Sequence, residues 1–388
     1  MKSAYSVIAV TLAGVLAAAG CGSQGPTVSN GPEAVQTEEQ SLQSNLKNML
    51  ETAGQLKQAL AGGQEAQIRS LVGKLDDQWE SFEDHLRKKD PVQYANIEKY
   101  LNPLAAGVKA SSLDVQTLTA FNDGLIQALN ECLAAVESQT LGAGGANNPK
   151  LQAAAKQYHD YVVQQSESLV EYTSRFVDAV LAGDVNKAKS LYAPARVYYE
   201  RIEPIAESLG DLDAKIDARE NDVPKEEWGG FHEIEKALWV NGSVQDQGPY
   251  ARQLLSNVTE LHKTVQTLTI QPAEVVAGAV ELLNEAASSK ITGEEERYSH
   301  TDLVDLSANV EGAEAAFNAV KPVLQQKDAN LAAKIEQRFQ DAKHVLDAYR
   351  TGDGFRSYAE LKTEDTKNIS QAINSIAEPL SQLAKILE

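Results

Sequence analysis

Apolar residues recur at spacings of three and four along most of this chain, and few folds accommodate such a pattern. From Thr37 onward the sequence is rich in Ala, Leu, Glu, Gln and Lys, with few runs of β-branched residues. A spacing of three and four places apolar side chains on one face of a helix, whereas the alternation typical of strands is essentially missing. Because the connections between periodic segments are short, antiparallel bundles are favoured. The sequence therefore predicts an all-α protein.

The periodic segments fall into two groups, separated by a stretch rich in glycine and asparagine. The helical segments predicted in the first group are 38–61, 64–89, 91–108 and 113–139. The helical segments predicted in the second group are 150–182, 185–208, 230–240, 250–269, 272–290, 301–327, 329–350 and 356–387. Because residues 141–149 have the composition of a loop, we place a linker there. The sequence therefore predicts an N-terminal helical domain at 38–140 and a second domain at 150–388.

The first 20 residues have the composition of a secretory signal. Lys2 precedes an apolar run at 7–19, which ends in small residues shortly before Cys21. This run is too short to span a membrane, and a signal peptide has this layout. A cysteine in this position resembles the signal of bacterial lipoproteins, in which it is lipidated; the alternative is an ordinary signal peptide with Cys21 as a thiol. The sequence predicts a signal peptide at 1–20, lipidation at Cys21 and a flexible tether at 21–37, on the outer face of the bacterial cytoplasmic membrane.

The acidic balance of the chain excludes some classes of partner. The formal net charge is -20 at pH 7, which argues against binding to nucleic acid or to anionic membrane surfaces. An acidic surface also concentrates cations, although solubility alone accounts for such a charge.

The stretch 228–239 is the strongest candidate for a functional site. As a helix, it places His232 and Glu235 three residues apart on one face, beside an apolar stripe. A neutral imidazole and a carboxylate on one helical face form half of a transition-metal site. The alternative is an ordinary surface His–Glu pair. A zinc-protease helix needs H-E-x-x-H, and Lys236 stands where its second histidine belongs.

Two other clusters in the second domain could complete such a site. Glu200, Glu203 and Glu207 share one helical face, and bundle proteins hold iron or manganese where such carboxylates meet a Glu/His pair from another helix. The alternative is a solvated acidic face. A tyrosine, His300 and Asp302 cluster at a predicted helix start, which suits a ferric ion, although a helix N-cap pattern explains Asp302 without a ligand.

The N-terminal domain carries a similar acidic pattern. Glu80 and Glu83 share a helical face and Glu98 follows in the next helix, so a second, weaker metal site is an alternative to a charged surface. Residues 59–83 and 180–203 resemble each other once a single-residue gap is introduced, and each ends in E-x-x-E. We interpret this as a duplicated helix pair, with chance similarity as the alternative.

Several separated motifs resemble those of imelysin-like proteins, in particular their EfeO/EfeM branch. In chain order the motifs are Leu191 to Arg196, Tyr199 to Glu207, Asp211 to Asp213, Trp228 to Trp239 with its G-x-H-x-x-E, and Gly293 to Leu303. The resemblance covers about residues 150–388. It implies a pair of four-helix bundles with the H-x-x-E motif near their junction, preceded here by an additional small helical domain.

The same resemblance implies a function. It is that of the extracytoplasmic iron-binding component of an Efe-type uptake system, which delivers iron to a membrane iron permease and works beside a secreted haem peroxidase. By their positions in the motifs, His232 and Glu235 would be metal ligands. Their implied neighbours are Glu203, His300 and Asp302. The cargo would be ferric or ferrous iron, with zinc as a competitor.

The N-terminal region departs from the pattern of the longer family members. Those members carry a cupredoxin-like β-domain with copper ligands, whereas residues 38–140 have helical periodicity and are similar to an extracytoplasmic helical region of some iron permeases. Two other functions stay open as alternatives: a metallopeptidase, as imelysin relatives have been classed, and a surface adaptor without a metal.

Overall fold

The computed structural model describes residues 32–110, 112–138, 148–352 and 354–387. The predicted signal peptide, Cys21 and most of the predicted linker lie outside the described residues. Within these ranges the chain forms fourteen α-helices: α1 (Pro32–Ala61), α2 (Glu65–Glu80), α3 (Glu83–Lys89), α4 (Pro91–Lys109), α5 (Val115–Glu137), α6 (Pro149–Leu181), α7 (Val185–Glu200), α8 (Asp211–Asp217), α9 (Gly230–Lys236), α10 (Gly248–Thr267), α11 (Pro272–Ser288), α12 (Asp302–Lys327), α13 (Ala329–Asp347) and α14 (Thr363–Leu387). The prediction of an all-α protein is confirmed.

Local sequence signals explain where many of these helices begin. The side chains of Asp90, Asp114, Asp184 and Asp328 each accept a hydrogen bond from the backbone N–H three residues later, which satisfies a donor of the first helical turn. Helices α6 and α11 begin with proline, whose missing N–H is not needed at that position. Among the described residues, no helix combines the length and the apolar composition that crossing a membrane requires.

A short hairpin interrupts the helical pattern near the C-terminus. Strand β1 (Arg350–Thr351) pairs antiparallel with β2 (Gly354–Phe355). A 3₁₀ turn at Tyr358–Glu360 follows, so α14 begins at Thr363 rather than at the predicted residue 356.

Two apolar cores organise the larger part of the chain. The described residues from 41 onward form one compact unit. Within this unit, one core joins α1 to α5 and the other joins α6 to α14. Helix α4 packs against α11, where Tyr94 Oη donates a hydrogen bond of 3.0 Å to Glu281 Oε1.

The second core is built as two bundles. Helix α6 packs against α7 and α10, while α11, α12, α13 and α14 pack among themselves. Helix α12 also contacts α6 and α7, so it joins the bundles. This is the implied pair of bundles, preceded by the additional helices α1 to α5. The short helices α8 and α9 pack against each other and against α10, close to the junction.

The segment predicted as 185–208 is broken after α7, close to Pro204, the residue that predicts a bend there. A 3₁₀ turn at Glu203–Leu209 follows the break, and Pro204 in this turn has no N–H to continue the helix. A Cβ at Gly278 of α11 would overlap the Pro204 carbonyl oxygen, so only glycine allows this close approach. The tight packing fixes the direction in which the chain leaves α7.

Two helical hairpins in this fold share one layout. The α1–α2 turn contains Gly63 with φ +62°, and the α6–α7 turn contains Gly183 with φ +75°. Their backbone hydrogen bonds match at positions that differ by 120 in residue number. Helices α2 and α7 both span 16 residues, and each is followed by a helical turn that begins with Glu83 or Glu203. The two pairs thus align without the single-residue gap introduced in the sequence comparison.

Candidate metal centre

The site begins at α9, whose start requires glycine. Gly230 has φ +76°, in the left-handed region that favours this residue. A Cβ there would overlap the backbone carbonyl of Ile216 in α8, so the two helices approach closely. This packing turns His232 and Glu235 inward, with exposed fractions of 1% and 0%. The alternative of a surface His–Glu pair is therefore wrong.

His232 has carboxylates on both sides of its ring. Nδ1 lies 3.1 Å from Glu235 Oε2, and an Nδ1–H can donate a hydrogen bond to this oxygen. Nε2 lies 3.5 Å from Asp217 Oδ1 and 3.9 Å from Glu295 Oε1. Within the described part of the chain, this buried Nε2 has no hydrogen-bond partner. Such a nitrogen beside two carboxylates is a candidate metal ligand.

The same carboxylates control the charge of the ring. Burial and the positive charge of Arg196 act to lower the pKa of His232, but the carboxylates of Asp217 and Glu235 outweigh them and raise it to about 10. A metal ion that binds this imidazole therefore displaces a proton.

Glu235 is fixed by the chain segment before α12. Its Oε1 accepts hydrogen bonds from the backbone N–H groups of Tyr298, over 2.9 Å, and Ser299, over 2.7 Å. Burial acts to raise the pKa of Glu235, but the hydrogen bonds from His232 and from these N–H groups lower it. Glu235 is thus an ionised side chain held in one orientation.

Among the residues that the structure describes, two overlapping groups of side chains could hold a metal ion. In each group, one potential ligand atom per residue lies within 4.8 Å of the others. The inner set is His232, Glu235 and Glu296, and the outer set is His232, Asp217 and Glu295. One imidazole with carboxylates suits iron, zinc or manganese.

An acidic cavity leads to the outer set. Its volume is about 310 Å³, it is partly open to solvent, and both Asp217 and Glu295 line it. The other charged side chains that line it are Glu203, Asp213, Arg219, Asp222, Glu281 and Glu285. Because most of these carry negative charge, the cavity attracts cations towards the outer set.

Arg196 of α7 holds the acids of the centre together. It is fully buried, and its guanidinium forms close ion pairs with Glu200, Asp217 and Glu296. Burial acts to raise the pKa of Asp217, but Arg196 lowers it below its usual range. Glu296 differs, because burial raises its pKa to about 8 despite the opposing charge of Arg196.

Glu203 lies beside the two sets and faces a second buried cation. Its Oε1 lies 2.5 Å from Lys290 Nζ, and its Oε2 accepts a hydrogen bond of 2.7 Å from Asn309 Nδ2. Asn309 also donates to the backbone carbonyl of Glu200 over 3.1 Å. Of the acidic face predicted from the sequence, Glu200 and Glu203 thus form salt bridges with Lys290, and the side chain of Glu207 lies outside the described ones.

His300 and Asp302 support the centre through the backbone. His300 has φ +59°, its N–H donates to the Glu296 carbonyl over 2.8 Å, and its own carbonyl accepts from Tyr358 N–H over 2.9 Å. Asp302 is buried, and its Oδ1 accepts from Glu296 N–H over 3.1 Å. Burial raises the pKa of Asp302 to about 6. Among the described residues, neither belongs to the inner or the outer set.

The N-terminal acids come together around a second cavity. Glu80, Glu83 and Glu98 line this cavity, which has a volume of about 770 Å³. The carboxylate of Glu98 is buried and accepts hydrogen bonds from Trp79 Nε1 and Asn102 Nδ2. No histidine is among the described residues that line it, so a metal ion there would be held by carboxylates alone. The second metal site stays a prediction.

Several residues of the centre were not predicted from the sequence. Asp217 ends a helix of only seven residues, too short to show periodicity, and Arg196 and Lys290 have the residue types of a solvated surface. One signal was available: Arg196 and Glu200 are four residues apart, a spacing at which opposite charges pair on a helix. Glu295 and Glu296 belong to the motif from Gly293 to Leu303, but only tertiary contacts show that their side chains reach the centre.

The chain as a whole is similar to several known proteins, some of which are named for iron uptake or iron regulation. The sequence model of the imelysin family matches residues 154–383. The "Iron uptake system component EfeM" of Bacillus subtilis is 40% identical over 390 residues, covering 99% of this chain and 100% of the relative. An "Efem/EfeO family lipoprotein" of Staphylococcus haemolyticus is 44% identical over 257 residues, covering 65% of this chain and 90% of the relative.

A solved structure has the same fold at low sequence identity. It is a crystal structure of a protein named as an iron-regulated protein A precursor from Parabacteroides distasonis, with a TM-score of 0.53 and 14% identity. The similarity covers 62% of this chain and 95% of that one.

Proposed function

This chain belongs to the imelysin family as a protein of the EfeM/EfeO type, and from this premise we propose that it is an iron-binding component of a bacterial uptake system. The observation that carries the proposal is the buried Nε2 of His232, which lies beside two carboxylates that line an acidic cavity. Transport needs a site that is reachable from solvent and offers few enough ligands for release, and this arrangement has both properties.

The outer set is where the ion would bind first. Asp217 and Glu295 line the cavity, so an entering ion exchanges water for their oxygens before it reaches His232 Nε2. Glu235 accepts from Nδ1–H, the carboxylate–histidine–metal arrangement that fixes the ring and its tautomer. For an ion held by the outer set, Glu235, a ligand by the resemblance, would act through the ring, and an ion bonded to Glu235 itself would occupy the inner set.

The remaining implied neighbours take supporting roles in this proposal. Asp302 and His300 hold the backbone of Glu296, and Glu203 holds Lys290. The cargo is iron, ferric or ferrous, and zinc would compete because it prefers similar ligands.

The finer steps of uptake belong to the same proposal. The chain would be lipidated at Cys21, lie on the outer face of the cytoplasmic membrane, and hand iron to a membrane permease, beside a secreted haem peroxidase. A relative is named as a lipoprotein, which supports the anchor.

The peptidase alternative has less support. Lys236, at the position of the second zincin histidine, forms an ion pair with Glu220 and has its ammonium 5.5 Å from the Trp228 ring centre. It therefore provides no metal ligand. Chelator-sensitive cleavage of casein by the purified protein would restore this alternative.

Metal analysis of the purified full-length protein tests the proposal. After incubation with ferrous iron under nitrogen and removal of excess metal, the wild-type protein should retain iron. His232→Ala should lose it, whereas His344→Ala, at an exposed histidine of α13, should retain it. Equal iron content in His232→Ala and wild type would overturn the proposal.

A further inference from the structure

Lys290 is a buried lysine next to the proposed metal centre. It begins a 3₁₀ turn at Lys290–Thr292 after α11 and is 1% exposed. Its Nζ lies 3.0 Å from Glu200 Oε2 and 2.5 Å from Glu203 Oε1. A buried ammonium is costly unless it is paired, and these carboxylates compensate its charge. Burial acts to lower the pKa of Lys290, but Glu200 and Glu203 raise it well above its ordinary value, so the side chain is charged.

One oxygen links this lysine to the outer set. Glu295 Oε1 lies 3.7 Å from Lys290 Nζ and 3.9 Å from His232 Nε2. A metal ion bonded to this oxygen at about 2 Å is therefore within about 6 Å of the ammonium. At such a separation inside a protein, two positive charges repel strongly enough to change an affinity.

We propose that Lys290 is an internal counter-cation that weakens the hold of the outer set on its cargo, and weakens it more for a trivalent than for a divalent ion. This inference rests on the proposed function. The lysine shares Glu295 with the ion and repels the ion directly. Because Coulomb energy is proportional to ion charge, the logarithm of the effect should be about 1.5 times larger for a trivalent ion.

The lysine thereby favours release of the cargo. The two carboxylates and the imidazole of the outer set attract a trivalent ion strongly, and Arg196, which pairs with Asp217 and lies 3.7 Å from Glu295 Oε1, offsets only part of this attraction. The fixed positive charge of Lys290 offsets a further part without blocking the cavity, since Lys290 is not among the described residues that line it.

Affinities of the full-length protein for two redox-inert probes test the inference. The probes are Zn²⁺ and Ga³⁺, each measured by competition with a chelator of known affinity. Lys290→Met removes the charge with little change in length and should bind Zn²⁺ on the order of 10- to 100-fold more tightly, and Ga³⁺ on the order of 30- to 1000-fold. Lys290→Arg, which keeps the charge, should bind as wild type does.

A second background keeps the test valid if Lys290→Met does not fold. The double variant Lys290→Met/Glu203→Gln loses both partners of the salt bridge, and its affinity is compared with that of Glu203→Gln alone. The pair differs only in the lysine charge, so the same increase is expected. The control Lys343→Met removes a half-exposed lysine paired with Glu314, and its affinity should be unchanged.

The outcomes separate this inference from the proposed function. If His232→Ala binds both probes as tightly as the wild-type protein does, or the wild-type protein binds neither, the proposed function is overturned. If wild-type binding depends on His232 but removal of the Lys290 charge changes neither affinity, only the inference is overturned. Equal tightening by Lys290→Arg and Lys290→Met would also overturn it, because charge would then not be the cause.

Discussion

The α1–α2 and α6–α7 hairpins have the same backbone layout, yet the acidic side chains at their ends lie in very different surroundings. Each ends in E-x-x-E at a helix break, with Glu80 and Glu83 in the first hairpin and Glu200 and Glu203 in the second. Glu80 is exposed, whereas Glu200 is fully buried. Among the described residues, the inner and outer sets both lie beside the α6–α7 hairpin.

The difference arises from residues that the shared pattern does not contain. Four residues before the first glutamate, α7 has Arg196, whereas α2 has Asp76. The arginine allows several carboxylates to be buried together, and His232 on another helix adds the nitrogen. The E-x-x-E pattern therefore provides only carboxylates. The proposed metal centre also needs a buried cation, Arg196, and a histidine from another helix, His232.

The largest expected change in stability comes from Arg196, the residue that distinguishes the two hairpins. Arg196→Met leaves buried carboxylates without their cation and should lower the free energy of unfolding by about 3–5 kcal/mol. The matched change Asp76→Asn, at a half-buried position, should alter it by less than about 1 kcal/mol. Urea unfolding followed by circular dichroism measures both. Equal losses would show that Arg196 does not hold the centre together.

The affinity for iron should depend on the acids near His232 and not on those of the N-terminal cavity. Asp217→Asn removes a proposed ligand and should weaken iron binding by more than about 100-fold, while Glu235→Gln, which loosens the ring, should weaken it by about 10- to 100-fold. Glu98→Gln, in the N-terminal cavity, should leave the affinity within about twofold of wild type because it does not contact the centre. A greater loss in Glu235→Gln than in Asp217→Asn would assign the ion to the inner set.

The smallest expected change is a gain in stability from a substitution in the N-terminal hairpin. A Cβ added at Gly73 in α2 would meet no atom within 4 Å, and the counterpart of this glycine in α7 is Ala193. Gly73→Ala should therefore stabilise the protein by about 0.5–1 kcal/mol, because alanine loses less backbone entropy in a helix. The midpoint of thermal unfolding reports this change. A lower midpoint would mean that another surface covers this face of α2.

The sequence predicted the helices better than the metal centre, for a physical reason. Apolar periodicity is local, so most of the helices could be predicted, and the H-x-x-E helix was located correctly. Burial of charge is not local: Arg196 and Lys290 are inside only because acids from α7, α8 and residues 295–296 surround them. His300 was selected for its imidazole, whereas the structure uses its backbone in a left-handed conformation. Pro204 predicts a bend after α7, whereas its close approach to Gly278 depends on another helix and cannot be read from one segment.

A crystal of the full-length protein soaked with iron tests the central claim most directly, through the anomalous signal of the metal. The account predicts a peak about 2 Å from His232 Nε2 that is also bonded to Asp217 and Glu295. A peak among Glu80, Glu83 and Glu98, with none at His232, would contradict it.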